Sequence, residues 1–351
     1  MNARITINGR FLTRPATGVD RFATELLRCW LPAHGAASAA RIVIPRNANR
    51  LDKGELPTAH PLGALDGHGW EQLELPVYCR NDMLLNLCNT GPIAQRSQLA
   101  VLHDVGTVAN ASSYSYSFRA WYRVLFTALM RRARIIATVS SFSASELMRY
   151  FRGNAGRIEV ISESGEHILR ATPDPSVLER LGLKDRPYIL CVGSLAPHKN
   201  FAALARAALM LSDLEVEVVA VGGGNSRVFA DVARGVARLA GYVTDGELRA
   251  LYENARCFVF PSLYEGFGLP PLEAMQCGCP AIVSRRAALP EVCADGALYC
   301  DPEDPTDIAR QLRAILSSQS LRTEMRERGI ARARAFTWRK AADHLQDILN
   351  R

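Results

Sequence analysis

The sequence predicts an α/β protein built from two doubly wound, parallel-sheet domains. Three observations carry this. The chain has 351 residues, which at roughly 100–200 residues per domain is enough for two separate cores. Short apolar runs rich in branched side chains alternate with helix-like segments, the pattern of strands buried on both faces. A polar, proline-bearing stretch over residues 162–187 divides the alternation into two series.

In the first series the predicted strands cover residues 5–7, 42–44, 83–87, 99–102, 135–139 and 158–161. Helical segments are predicted over 19–30, 118–132 and 142–150. In the second series the predicted strands cover 188–192, 215–221, 236–239, 257–260, 281–283 and 297–299, with helices over 201–211, 245–254 and 271–275. The tail is helical over 321–335 and 338–349. These elements predict one domain over residues 1–165, a second over 166–335, and a last helix over 336–351 that packs back toward the first domain.

Composition excludes several classes. Charged residues make up 22% and the apolar class 48%, ordinary for a folded soluble chain. No run of ~18 apolar residues is present, so a membrane-spanning helix is not expected. The first residues lack the apolar core of a signal peptide. Nine cysteines are scattered without a CxxC pair, and several, such as Cys88, Cys191 and Cys257, sit in apolar runs. They read as reduced thiols of a cytoplasmic protein. The seven histidines form no HxxxH cluster, so no metal site is expected. A net charge of +7 says that acidic partners are attracted: phosphates, anionic lipid or nucleic acid.

In doubly wound sheets ligands bind beyond the carboxyl ends of the strands, and the most informative residues fall there. The segment from Phe258 to Met275 reads FVFPSLYEGFGLPPLEAM: a strand, a glycine-bearing loop, then a helix opened by proline, which suits a first turn. The amides of Phe267, Gly268 and Leu269 are predicted to face a ligand, where a helix start favours an anion. Glu265 stands at the loop entrance. Glu273, eight positions on, is expected in the first helical turn. Taken singly, Glu273 reads equally well as a dipole-favourable acid, and the glycines as turn formers.

As one string the segment resembles the retaining glycosyltransferases of family 4, with their Glu-x7-Glu signature in a strand–loop–helix context. The likeness continues through residues 239–258, Leu289-Pro290-Glu291-Val292 and residues 301–305. It implies the GT-B architecture, two Rossmann-like domains facing across a cleft, in a mannosyltransferase-like member. It implies that Glu273 holds the ribose of a nucleotide-sugar and that Glu265 lies at the transferred sugar. The backbone after Gly266-Phe267-Gly268 is implied to bind sugar hydroxyls and phosphate, and the backbone at Val243 to approach the base.

Three further segments acquire roles through the same resemblance. Residues 191–200, CVGSLAPHKN, follow a strand. Lys199 would place its ammonium on the diphosphate, where fixed charge counts most as the bond breaks; Gly193 and Ser194 would line the same turn. Relatives carry an arginine where this chain has Ser194, so a second phosphate cation comes from elsewhere or is absent. His103-Asp104 ends a strand, and His103 would meet a sugar hydroxyl or position the acceptor; the alternative is a histidine satisfied at a strand end. Gly18, in Arg14-Pro-Ala-Thr-Gly-Val-Asp-Arg-Phe22, would permit close backbone approach at a helix start.

The expected reaction is transfer of a sugar, mannose from GDP-mannose as first choice, to a saccharide or lipid-linked saccharide in surface polysaccharide synthesis. Anomeric configuration is retained and no metal takes part. No Asp-x-Asp follows a strand, which disfavours the metal-dependent architecture. Arginines interleaved with Trp121, Tyr122 and Phe126 over residues 119–157 suit either an anionic membrane surface or a solvated helix face. An epimerase or phosphorylase of the same fold, or a non-enzymatic nucleotide binder, stays open. A nicotinamide enzyme is disfavoured because Val221-Gly-Gly-Gly-Asn225 has Arg227 where the fingerprint needs glycine. No nucleic-acid-binding motif is present.

Overall fold

The computed structural model describes residues 4–14, 17–35, 40–46, 56–110, 114–151, 158–194, 196–223 and 237–351. Arg152, Arg157, Leu195, Asn225, Arg227 and Val236 of the readings above lie outside them. The chain forms two compact units, one of Met1–Glu163 with Trp338–Arg351, the other of Ser164–Thr337.

The first unit holds a seven-stranded sheet in the order β3-β2-β1-β4-β5-β6-β7. The strands are β1 (Ile5–Asn8), β2 (Ala40–Pro45), β3 (Ala59–Leu62), β4 (Met83–Asn86), β5 (Gln98–Val101), β6 (Ile135–Thr138) and β7 (Ile158–Val160). Every pairing is parallel. The sequence reading missed β3, because Ala-His-Pro-Leu has no apolar alternation and proline cannot donate to a ladder. At the sheet edge that donor is not needed. Helix α1 (Gly18–Ala33) opens with a capping box between Thr17 and Asp20. Its Trp30 is fully buried and donates from Nε1 to Gln346 Oε1 at 2.9 Å. The chain's last helix is thereby tied into this unit.

The second unit holds a six-stranded parallel sheet in the order β10-β9-β8-β11-β12-β13. Its strands are β8 (Tyr188–Val192), β9 (Glu217–Val221), β10 (Ala237–Gly241), β11 (Cys257–Phe260), β12 (Ala281–Ser284) and β13 (Ala297–Cys300). Strand positions Ile189, Val218, Val259 and Ile282 pack with helix residues Leu204 and Leu312 in one core.

Two boundaries move. Residues 162–187, expected as a connector, belong almost wholly to the second unit. Gly165 lies so close to the backbone of Leu272 and Glu273 that a Cβ there would stand 2.6 Å from Glu273 N, and Val177 is fully buried. Residues 336 and 337 also belong there: the Phe336 ring meets Phe267 edge-on at 5.7 Å, and Phe336 O accepts from Ser164 Oγ at 2.9 Å.

Seven of the nine cysteines are buried thiols. Burial pushes Cys257 and Cys293 up to about 12, so neither is a thiolate at neutral pH and neither is reactive. Titration of the native protein with an aromatic disulfide should therefore label at most Cys29 and Cys88, the two half-buried thiols. Rapid labelling of more than two would contradict this packing.

Candidate active site

In an open parallel sheet the crevice lies where strand order reverses. In the second sheet that place is between β8 and β11. The loop after β8, Gly193–Asn200, and the loop after β11, Pro261–Gly268, are stitched together. Leu263 N donates to His198 O at 2.8 Å. Asn200 Nδ2 donates to Pro261 O at 3.1 Å and to Pro302 O at 2.6 Å. These bonds tie the two loops to each other at the strand ends.

The stitching brings together two residues singled out in the sequence. Lys199 Nζ donates to Glu265 Oε1 at 2.7 Å and stands 5.1 Å from the centre of the Phe260 ring. Their side chains are 16% and 13% exposed. The pair is thus sheltered but reachable. An ammonium has three donors, so two stay available beside the one given to Glu265.

Helix α6 (Leu269–Gln276) follows at once, with Gly268 as its N-cap at φ 106° and prolines at its start. The amides of Phe267, Gly268 and Leu269 have no acceptor among the described residues. Orphan donors at a helix start are where an anion or hydroxyl oxygen binds. Helix α6 begins at Leu269, earlier than expected, which puts Glu273 beyond the first turn. The helix dipole falls off within that turn, so a dipole-favourable acid does not explain Glu273. Its carboxylate is 7% exposed. Oε1 accepts from His167 Nε2 at 2.9 Å and Oε2 from the Tyr252 hydroxyl at 3.0 Å.

The other predicted residues of this unit lie at the same carboxyl end. Gly193 N donates to Val221 O at 2.9 Å, Ser194 is exposed, and Val243 is 8% exposed behind the fully solvated Tyr242. Sequence reasoning missed His167, Tyr252 and Asn200. His167 sits in the stretch read as a connector. Tyr252 reads as a helix-core residue, and only its three-dimensional pairing with Glu273 singles it out.

In the first unit His103 packs against groups of its own unit. It is 3% exposed, and both ring nitrogens face acceptors, Nδ1 toward Glu163 Oε1 at 3.2 Å and Nε2 toward Leu87 O at 2.9 Å. Its backbone N donates to Asn89 Oδ1 at 2.6 Å, and its ring meets Phe22 edge-on at 4.7 Å. Both ring nitrogens thus face oxygen atoms of the same unit. Asp104 Oδ1 accepts from Gly106 N at 2.6 Å. At Gly18 a Cβ would meet nothing within 4 Å, so no close approach within the protein demands glycine.

The switch point of the first sheet, between β1 and β4, carries a buried acid the sequence did not reveal. Glu71 Oε1 accepts from Asn8 Nδ2 and from Thr90 Oγ1, each at 2.7 Å, and Oε2 lies 3.5 Å from Arg10. Burial alone would raise its pKa. Hydrogen bonding from His68, the Arg10 charge, Thr90 and Asn8 outweigh that and hold it below the ordinary value, so it is ionised.

Known proteins bear on this geometry. The model for "Glycosyl transferases group 1" matches residues 177–332. The second unit belongs to the glycosyl transferases group 1 family. Among curated relatives, O-antigen chain mannosyltransferase B of Escherichia coli is 37% identical over 219 residues, 59% of this chain and 58% of that protein. The serotype-specific mannosyltransferase WbdA of Escherichia coli is 32% identical over 266 residues, 70% of this chain and 32% of that protein. The chain therefore spans less than two thirds of either relative. A crystal structure of WaaG, a glycosyltransferase involved in lipopolysaccharide biosynthesis, shares the fold with a TM-score of 0.74 at 15% identity, covering 98% of this chain and 99% of that one. The two-sheet GT-B fold of these glycosyltransferases is the fold of this chain.

Proposed function

We propose that this group 1 chain transfers a sugar, with retention of anomeric configuration and without a metal, from a nucleoside-diphosphate sugar to a saccharide acceptor. The observation that carries the reading is the Lys199–Glu265 pair beside the acceptor-free amides of residues 267–269. Cation and amides can share the diphosphate, and the leaving-group charge grows where they stand. Glu265 then serves the transferred sugar and Glu273 the ribose, with Gly193, Ser194 and the Val243 backbone lining the nucleotide. His103 is left out of direct contact. Lys199 and the amides do the electrostatic work that a metal does elsewhere.

Mannose from GDP-mannose is the first choice of donor, because the two relatives described above are named mannosyltransferases, one of them of the O-antigen chain. A surface polysaccharide made in the cytoplasm is the matching product. No described helix is long and apolar enough to cross a membrane. Helix α2 (Tyr116–Arg132) exposes Tyr116, Phe118 and Val124 beside Arg123, Arg131 and Arg132, which suits peripheral contact with anionic lipid.

A ligand that binds only the folded state raises stability by mass action, about 2.7 kcal/mol at a hundred times its Kd. Thermal unfolding against GDP, UDP, ADP, dTDP and their sugars should show the largest rise with GDP and GDP-mannose. A larger rise with another base would replace the donor; no rise with any would remove the reading. NMR of the product's anomeric proton, made from a donor of known configuration, tests retention.

A further inference from the structure

The contacts around Glu273 leave a specific acceptor pattern. An ionised carboxylate offers about four lone-pair sites, two on each oxygen. His167 fills one on Oε1 and Tyr252 one on Oε2. One site per oxygen is left, the pattern that two adjacent hydroxyls satisfy together.

Both partners are built to keep that arrangement. His167 is 4% exposed, and its Nδ1 faces Ser164 O at 3.2 Å, so the ring is anchored on the side away from Glu273. The turn that carries it lies directly on helix α6, because Gly165 has no Cβ to strike Glu273 N or the Leu272 carbonyl carbon. Tyr252, on helix α5 (Asp245–Asn254), is fully buried with its ring edge-on to Phe258 at 5.7 Å. Burial, then the adjacent Glu273 charge, push its hydroxyl well above the ordinary value, so it stays a protonated donor. A carboxylate held from two sides loses its rotamer freedom before the ligand arrives, which lowers the cost of binding.

We propose that His167 and Tyr252 are positioning residues that fix the Glu273 carboxylate so that its two remaining acceptor sites grip the vicinal ribose hydroxyls of a nucleoside diphosphate. This rests on the reading that Glu273 faces the ribose. It adds that the grip depends on both hydroxyls and on both supports, and it makes the site selective for ribonucleotides over 2′-deoxyribonucleotides.

The test is calorimetric titration with GDP and UDP, each beside its 2′-deoxy counterpart. Losing a hydrogen bond to a charged group corresponds to about 10–100-fold in affinity, so the wild type should prefer the better-binding ribonucleotide by at least tenfold. Glu273→Ala should reduce that preference to near one. Tyr252→Phe and His167→Ala should each cut it at least threefold, weakening the ribonucleotide more than its 2′-deoxy counterpart, which keeps only the 3′-hydroxyl contact. His167→Gln, which keeps a donor toward Glu273, should restore most of it. A Glu273→Ala protein that still discriminates like the wild type, or a wild type with no preference, overturns the Glu273 reading. If Glu273→Ala loses the preference while Tyr252→Phe and His167→Ala keep it, the positioning role is overturned. Equal weakening of both nucleotides by the His167 and Tyr252 variants overturns it too, because general loosening of the fold would do that.

Discussion

Lys199→Ala is expected to lower turnover of the nucleotide-sugar by about 10²–10³-fold, the usual effect of removing one fixed charge or donor from a developing oxyanion. What matters is the state of Lys199 before a ligand arrives. Its ammonium is already paired with Glu265 at 2.7 Å, with both side chains mostly sheltered. A diphosphate therefore meets a lysine that is held in place, and the loss should fall on kcat more than on KM. The same substitution leaves Glu265 without its cation. At 13% exposure that carboxylate still reaches water, so the ligand-free protein should unfold within a few degrees of the wild type. Glu265→Gln separates the two jobs: it keeps the shape, frees Lys199 and removes the charge beside the sugar. It should retain the stabilisation by nucleoside diphosphate while losing turnover. Steady-state kinetics with thermal unfolding decides the matter. A Lys199→Ala enzyme within fivefold of wild-type kcat would remove Lys199 from the chemistry.

Much of the second unit was legible in the chain because its signals are local. The strand at residues 257–260, the glycine-bearing loop and the proline-opened helix are contiguous, and helix α5 matched its predicted ends at Asp245 and Asn254. The partners of that motif were not legible. His167 is 106 residues from Glu273 and Tyr252 is 21. Nothing in their own neighbourhoods marks them, since the bond that defines each is a product of folding. His103 shows the converse. A strand-end histidine offers the same letters whether it faces a ligand or its own protein, and the 2.9 Å approach of Nε2 to Leu87 O appears only on folding. Glu71 was hidden for a related reason. A lone glutamate in a polar stretch reads as solvated, and only the three-dimensional meeting with Asn8, Arg10 and Thr90 makes a buried charge tolerable. Edge strand β3 was missed because its position forgives a proline that an interior strand would reject.

Gly222→Ala is expected to destabilise the second unit by at least about 3 kcal/mol, from a strained backbone and an unavoidable clash together. Gly222 follows β9 with φ at 135°, which side-chain-bearing residues rarely adopt. A Cβ would stand 2.1 Å from Gly193 O and 2.8 Å from Gly193 C. Those are backbone atoms, so no rotamer change relieves the overlap; the loop after β8 itself must move. That loop is also fixed by Gly193 N donating to Val221 O and, further along, by Asn200 and Leu263. Displacing its first residue should therefore shift Lys199 relative to Glu265. For a unit of this size 3 kcal/mol corresponds to a fall of about 6–12 °C in the unfolding midpoint. The survivor should also bind nucleoside diphosphates more weakly, because the disturbed loop is the one that carries the cation. Gly223→Ala is the control: a Cβ there meets nothing within 4 Å, and its midpoint should stay within about 2 °C, in keeping with a surface substitution. Equal effects at 222 and 223 would mean that the approach of Gly222 to Gly193 does not set the shape of the site.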